Sequence, residues 1–154
     1  MKQIKWCLNT KNGLELIEPN ENLAKAYLNK SEDALRAASA LHDNKDWRIS
    51  SLYYTQYFSL YAILMKIGVK CEIHSCTLAF MEFLLKDFFT FDEKDLIKKS
   101  MKARTDTQYY SDRNVSDEFY LRIIKETPMF LIKCKGVLNK LTETDINKIR
   151  EELQ

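Results

Sequence analysis

Apolar residues recur at steps of three and four along most of the chain after Pro19, which is the periodicity of amphipathic helices. The first periodic segment predicts a helix over 21–42. After a short polar loop, the segment 47–67 contains no Gly or Pro and predicts a second helix with Asp46 as its N-cap. Gly68 follows at the position where a left-handed residue ends many helices. This second helix is the most apolar, so we expect it at the centre of the fold.

The second half of the chain predicts three further helices. One follows Ser75, and the next opens at Asp92. A polar break then leads to Ser116, which can cap a long helix whose apolar seam has steps of three and four. Pro128 lies within that seam and is expected to kink the helix or divide it, because proline removes a backbone donor. The tail after Thr144 predicts one last amphipathic turn or two.

The N-terminal segment 4–18 has two short apolar runs around the turn pair Asn12-Gly13. This pattern is typical of a small hairpin, although an ordered irregular arm fits it equally well. The whole chain has only 3 Gly and 2 Pro, which suits long helices better than a many-stranded sheet. We therefore predict an all-α fold, an up-and-down helical bundle of about five helices with a short irregular or hairpin N-terminal arm.

Length and composition predict one domain over residues 1–154. The 45% hydrophobic and 30% charged fractions are those of an ordinary globular protein, and the net charge of +2 produces no strong overall field. The chain shows no signal peptide and no apolar run of membrane-spanning length, so we predict a cytoplasmic protein that does not enter a membrane. Four scattered cysteines do not form a secreted disulfide framework and predict reduced, mostly buried thiols.

Tyrosines recur every four residues along one face of the second helix, at Tyr53, Tyr57 and Tyr61. Such a stripe could stack nucleic-acid bases, but tyrosines at this spacing more often form core and subunit interface. The Tyr and Phe side chains on several helix faces carry more apolar surface than a bundle of this size can bury. We therefore predict a homodimer.

Candidate chemistry is sparse. The sequence has no Walker loop, nucleophile elbow or dinucleotide fingerprint. Cys71, His74 and Cys76 could ligate zinc, but the second cluster that zinc sites need is missing. The simpler interpretation is that Cys76 packs and His74 helps to start the third helix. With His42 as the only other histidine, a di-iron bundle is excluded as well. We predict no metal and no cofactor.

A basic run on the fourth helix is the remaining candidate site. It comprises Lys94, Lys98, Lys99, Lys102 and Arg104, and it leads into Asp106, Gln108, Tyr109 and Tyr110. The run is either a solvated helix face or a surface for RNA phosphate or a nucleotide.

In the binding hypothesis, Arg104, Tyr109, Tyr110, Lys98 and Lys102 bind the ligand, and Arg104 holds phosphate through its planar fork. The catalytic candidates are Arg104, Asp106 and Tyr109, with a nearby polar group assisting proton transfer. Arg104 and Tyr109 lie about 140° apart on an ideal helix, so they converge only if the helix bends or a second subunit contributes one. Alternatively, Asp106 holds Arg104 in a stabilising salt bridge.

The segments WRISSLYYTQYFSLYAILMKIGVKCEIHSC and KARTDTQYYSD resemble the HEPN domain proteins, especially the small stand-alone prokaryotic kind. The shared features are a Tyr-Tyr helix, a Gly-Xaa-Lys turn, a histidine before the third helix and an Arg-Xaa-Asp-Xaa-Xaa-Tyr segment. The resemblance covers about residues 22–140. It implies a helical bundle, frequent homodimerisation and frequent pairing with a minimal nucleotidyltransferase encoded nearby. Some members are metal-independent ribonucleases, including toxins.

Ribonuclease members of that family carry an arginine followed a few residues later by a histidine on a late helix. Arg104 matches the arginine, but Tyr109 stands at the histidine position. In some toxin members of the family, a tyrosine two residues after that histidine accepts a nucleotide. In this sequence Ser111 stands at that position. Arg36 and His42 have a similar spacing, but they lie on the first helix and are taken as coincidence.

Two functions follow from the resemblance. The favoured one is a non-catalytic or weakly catalytic dimeric partner of a nucleotidyltransferase that binds a nucleotide or RNA. The alternative is a metal-independent HEPN ribonuclease toxin of a toxin–antitoxin pair.

Overall fold

The computed structural model of the protein describes residues 2–154, which form seven helices and one small sheet. The helices are α1 (Lys2–Asn9), α2 (Glu21–Ala40), α3 (Lys45–Ile67), α4 (His74–Leu84), α5 (Phe91–Tyr109), α6 (Asp117–Lys140) and α7 (Glu143–Glu151). The strands β1 (Glu15–Leu16) and β2 (Val69–Lys70) pair antiparallel. The predicted all-α class is confirmed. The number of helices exceeds the predicted five. The two additional helices, α1 and α7, are short and amphipathic, and they contribute buried residues to the core from the two ends of the chain.

Helix α3 lies at the centre of the fold, as predicted, and contacts α2, α5, α6 and α7. Its side chains are buried around most of its circumference, since Ile49, Tyr53, Leu60 and Ile63 are all fully buried. A helix buried on every side is expected to be apolar all round, which explains why its sequence has no wide polar stripe. Every other long helix therefore has α3 as a neighbour.

The helix ends follow local capping rules. Gly68 ends α3 in the left-handed conformation (φ 84°), and its N–H donates to the carbonyls of Leu64 and Met65. Ser116 caps α6 as predicted by accepting a hydrogen bond from the N–H of Phe119. The N-cap of α3 is Asn44 rather than the predicted Asp46, because its side chain is the one that accepts from the N–H of Trp47.

Pro128 does not divide α6, which runs as one helix from Asp117 to Lys140. Buried residues anchor the helix on both sides of the proline, among them Ile123 before it and Phe130 after it. Thr127 adds a polar anchor, because its hydroxyl donates to the Ile123 carbonyl and accepts from the Gln56 side chain of α3. Packing thus holds the helix together where the backbone lacks one donor.

The N-terminal segment does not form the predicted hairpin. Residues 2–9 are helical, and the following strand pairs with Val69–Lys70 of β2 instead of with its own neighbour. Asn12 makes the turn with a φ of 62°, and its carbonyl accepts from the N–H of Glu72. The arm therefore satisfies its backbone groups against the distant α3–α4 connection, a pairing that a local turn signal does not reveal.

A disulfide between Cys7 and Cys76 ties α1 to α4. The prediction of reduced thiols is therefore wrong for this pair, because the packing of α1 against α4 brings the two Cα atoms within 5.6 Å. Cys71 and Cys134 are free and buried. Burial raises the pKa of the Cys134 thiol to about 12, so this thiol stays protonated and behaves as a small apolar side chain.

Arg150 of α7 fastens the C-terminal helix to the centre of the fold. Its Nη1 lies within hydrogen-bond distance of three backbone carbonyls, those of Ile17, Ile67 and Gly68. These carbonyls belong to the arm and to the end of α3, so one guanidinium group joins three parts of the chain. None of the helices in the described residues is long and apolar enough to cross a membrane.

Candidate functional site

Arg104 on α5 packs against the tyrosine face of α3. Its guanidinium carbon lies 5.1 Å from the ring centroid of Tyr53 and 5.6 Å from that of Tyr54. Nη1 donates to the Tyr54 hydroxyl and to Oε1 of Gln108, both at 3.2 Å. Two aromatic rings and two hydrogen bonds therefore hold the half-buried guanidinium group in a defined orientation.

The charge of Arg104 has no acidic partner within residues 2–154, since no carboxylate oxygen lies within 4.0 Å of its guanidinium group. Its Nε is buried and makes no hydrogen bond. The predicted alternative, a salt bridge between Asp106 and Arg104, is wrong. Asp106 instead pairs with Lys102 and with Arg113. Arg104 is thus a partly buried cation whose charge other groups do not neutralise.

His74, the first residue of α4, lies against the same tyrosines. Its Nδ1 is 2.7 Å from the Tyr53 hydroxyl, and its ring stacks on Tyr57 with centroids 4.0 Å apart. Burial, with a smaller contribution from the nearby Arg104 charge, lowers the pKa of His74 to about 4. Burial also raises the pKa of Tyr53 far above its usual value, so at neutral pH the pair consists of a neutral imidazole and a protonated phenol.

His74 was predicted to help start the third helix of the sequence, and it is the first residue of the corresponding helix α4, although no side chain caps this helix. The side chain also joins the Arg104 cluster across the fold. The histidine before the third helix was already among the motifs of the HEPN resemblance, and that motif was the signal that could have placed it near Arg104.

A surface groove of about 350 Å³ adjoins Arg104 where the start of α3 meets the end of α5. Trp47 and Ser50 line it from α3, and Gln108 and Tyr109 line it from α5. Gln108 also accepts the hydrogen bond from Arg104, so it connects the groove with the guanidinium group. Tyr109 lines the groove and Arg104 does not, so Gln108 is the link between these two predicted site residues, which the helix geometry separates by about 140°.

The other predicted site residues lie elsewhere. On an ideal helix Asp106 is about 160° from Arg104, and it lines a separate groove with Lys102. Lys98 pairs with Glu82, and Tyr110 packs on the guanidinium group of Arg113. The predicted set is therefore spread over different faces of α5, and only Tyr109, through the groove residue Gln108, remains connected with Arg104.

Asp106 is a poor candidate for proton transfer. Its two carboxylate oxygens bind Lys102 and Arg113. These hydrogen bonds hold the pKa of Asp106 below its usual value, so the group stays ionised and engaged.

The two other motifs considered in the sequence form no shared site. Cys76 is in the disulfide, and the thiol of Cys71 donates to the Ile73 carbonyl. Within residues 2–154 no group of three or more His, Cys, Asp or Glu is arranged to hold a metal ion. Arg36 pairs with Asp33, whereas His42 lies beside Asp43 in the loop after α2.

The chain matches none of the protein-family models against which it was compared, and no curated protein matches it. The resemblance to the HEPN proteins therefore rests on the sequence motifs alone.

Proposed function

We propose that the protein is a HEPN-like helical protein that binds a nucleotide or RNA through Arg104. In this proposal it acts as a non-catalytic or weakly catalytic dimeric partner of a minimal nucleotidyltransferase. The observation that carries the proposal is the partly buried Arg104 guanidinium group, which no carboxylate neutralises and which Tyr53 and Tyr54 hold in place. Because Nη1 donates to Tyr54 and Gln108 and Nε is buried, Nη2 is the nitrogen left to donate to a phosphate oxygen, and the unneutralised positive charge strengthens that contact.

Two observations support a weakly catalytic or non-catalytic role. Tyr109 occupies the position where the ribonuclease members carry histidine. Asp106, the other candidate for proton transfer, lies on the opposite side of α5 and is paired with two cations. Neither residue can act as the histidine of those enzymes does.

We expect Arg104→Ala to weaken binding of a short fluorescent oligoribonucleotide by about tenfold or more, since a hydrogen bond to a charged group contributes roughly 1.5–3 kcal/mol. Arg104→Lys keeps the charge and loses the fork, so we expect it to recover only part of the affinity. Fluorescence anisotropy measures both variants. Lys98→Ala is the matched control, because Lys98 lies on the same helix but pairs with Glu82. Unchanged binding in both Arg104 variants, together with lowered thermal stability, would show that Arg104 only holds the bundle together.

The dimer in this proposal uses an apolar stripe on the outer face of α6. Leu121, Met129 and Ile132 are all more than 60% exposed and fall within an arc of about 80° on an ideal helix. Phe91, at the start of α5, is 80% exposed. Met129 and Ile132 also line an apolar groove between α5 and α6. Large side chains exposed together on one face favour association with a second copy.

We expect sedimentation at micromolar concentration to give about twice 18.2 kDa for the unmodified protein. The double variant Met129→Lys, Ile132→Lys should sediment as a monomer, because it places four like charges in a two-fold symmetric interface. Leu23→Lys, at an exposed apolar position on α2, should leave the dimer intact. A monomeric unmodified protein, or a dimer that survives the double variant, would contradict this use of the stripe.

The ribonuclease toxin is the second candidate, because His74 shares the tyrosine cluster of Arg104. A neutral imidazole could take the proton from a ribose hydroxyl while Arg104 binds the phosphate. This alternative requires metal-independent cleavage of single-stranded RNA that is lost in both His74→Ala and Arg104→Ala. Absence of cleavage by the unmodified protein would leave the binding role as the better proposal.

A further inference from the structure

Two large aromatic side chains are exposed on opposite sides of the groove beside Arg104. Trp47 is 61% exposed and Tyr109 is 70% exposed. Most tyrosines of the chain pack against other aromatic rings, but neither of these two rings takes part in any aromatic pair within residues 2–154. Their π-faces are therefore open to a planar ligand, and a nucleobase stacks on such faces whatever its identity.

The inner wall of the groove carries an unused polar group. Ser50 lines the groove but is only 4% exposed, and its buried hydroxyl oxygen makes no hydrogen bond in the protein, so a base edge reaches it only if the side chain turns toward the groove. A buried hydroxyl without a partner is unfavourable, so such groups in native proteins usually mark a missing water or ligand. Asp46 and Gln108 add an acceptor and an amide at the rim. These groups match the donors and acceptors on the edge of a base.

The groove also lies at a suitable place relative to the proposed phosphate site. Gln108 lines the groove and accepts a hydrogen bond from Arg104, so the guanidinium group is one side chain away from the groove. The volume of about 350 Å³ lies within the range of about 300–1,000 Å³ for small-molecule sites. A nucleotide with its phosphate on Arg104 would have to extend past Gln108 to place its base in the groove.

We propose that the groove between Trp47 and Tyr109 is a nucleobase subsite, which rests on the proposed function and adds base recognition to the phosphate contact of Arg104. The ligand class is a nucleotide, with its base stacked on Trp47 and Tyr109, its polar edge toward Ser50, and its phosphate on Arg104. The nucleotide is either free or one unit of single-stranded RNA.

The test uses the two tryptophans of the chain. In a Trp6→Phe background Trp47 is the only tryptophan, so its fluorescence reports directly on the groove. We expect AMP to quench this fluorescence, because a stacked base contacts the indole ring. Ribose 5-phosphate carries the same phosphate without a base and should bind without quenching. A pentaribonucleotide distinguishes the sources of the ligand: binding much tighter than that of AMP would identify RNA, and equal or weaker binding would identify the free nucleotide.

We expect Trp47→Ala and Tyr109→Ala each to weaken AMP binding by about tenfold, while ribose 5-phosphate binding is unchanged. Calorimetry measures both ligands. Tyr109→Phe keeps the ring and should bind AMP like the unmodified protein. Tyr110→Ala is the matched control, because the neighbouring Tyr110 ring packs on Arg113 and lies outside the groove. Circular dichroism checks that the variants are folded.

The outcomes separate this inference from the proposed function. If Arg104→Ala weakens AMP binding but Trp47→Ala and Tyr109→Ala do not, the base subsite is wrong and the phosphate site stands. If the two aromatic variants weaken AMP binding and Arg104→Ala does not, the base subsite stands and the phosphate site is wrong. If AMP, ribose 5-phosphate and the pentaribonucleotide all fail to bind the unmodified protein, both are overturned.

Discussion

Replacing both Cys7 and Cys76 by alanine is expected to lower the free energy of unfolding by about 4 kcal/mol. The two residues are 69 positions apart in the chain, so the disulfide closes a long loop and removes much conformational freedom from the unfolded state. It also ties α1, a helix of only 8 residues, to α4. A helix that short is not stable alone and depends on its tertiary contacts. Chemical denaturation monitored by circular dichroism measures the change.

Cys134→Ala is the control for this experiment. Cys134 is as fully buried as the two bonded cysteines but forms no cross-link, so its replacement reports only the loss of a small buried side chain. We expect it to lower the free energy of unfolding by about 1 kcal/mol. A reductant should destabilise the unmodified protein and leave the double variant unaffected. If the reductant changes neither protein, the disulfide does not contribute to stability in solution.

Gly68→Ala should be strongly destabilising, with an expected loss in the free energy of unfolding of about 3 kcal/mol. The residue has a φ of 84°, a conformation that disfavours any side chain. A Cβ atom there would also lie 2.5 Å from the carbonyl oxygen of Ile17 and 2.7 Å from the backbone nitrogen of Pro19. These are backbone atoms, so the clash is relieved only by moving the arm away from α3. The guanidinium group of Arg150, which binds this corner, would have to move as well.

Gly136→Ala is the matched comparison, because it adds the same methyl group inside α6. Apart from its chain neighbours and the nearby backbone of α6 itself, no atom lies within 4 Å of the Cβ position, and alanine is favoured over glycine in a helix. We therefore expect Gly136→Ala to raise the free energy of unfolding by about 0.5–1 kcal/mol. Thermal denaturation of the two variants should shift in opposite directions. A loss at Gly68 no larger than about 1 kcal/mol would mean that the corner adapts easily and that the arm is not tightly docked.

Much of the helical framework could be predicted from the sequence. The end of α3 at Gly68 and the start of α6 at Ser116 were predicted, because capping depends on residues within one turn of the helix end. The central place of α3 followed from its apolar composition. The N-cap of α3 was predicted at Asp46, two residues after its actual position at Asn44. Both residues are good caps, and only the backbone conformation selects Asn44.

The candidate site could be predicted only in part. Arg104 and Tyr109 were identified from the basic run and its tyrosines, but Asp106 was grouped with them because it is close in sequence. The side of the helix decides which residues share a site, and Asp106 faces α6 and Arg113. Trp47, Ser50 and His74 come from other helices, so no spacing along α5 could include them.

The sequence by itself determined the long helices, several of their ends and the apolar centre, because each depends on contacts between residues a few positions apart. Only the tertiary structure decided the Cys7–Cys76 disulfide, the pairing of β1 with β2, and the meeting of His74 with Arg104. These features join segments tens of residues apart. Such contacts form when whole helices pack against α3, and that packing is set by the shape and burial of many side chains together.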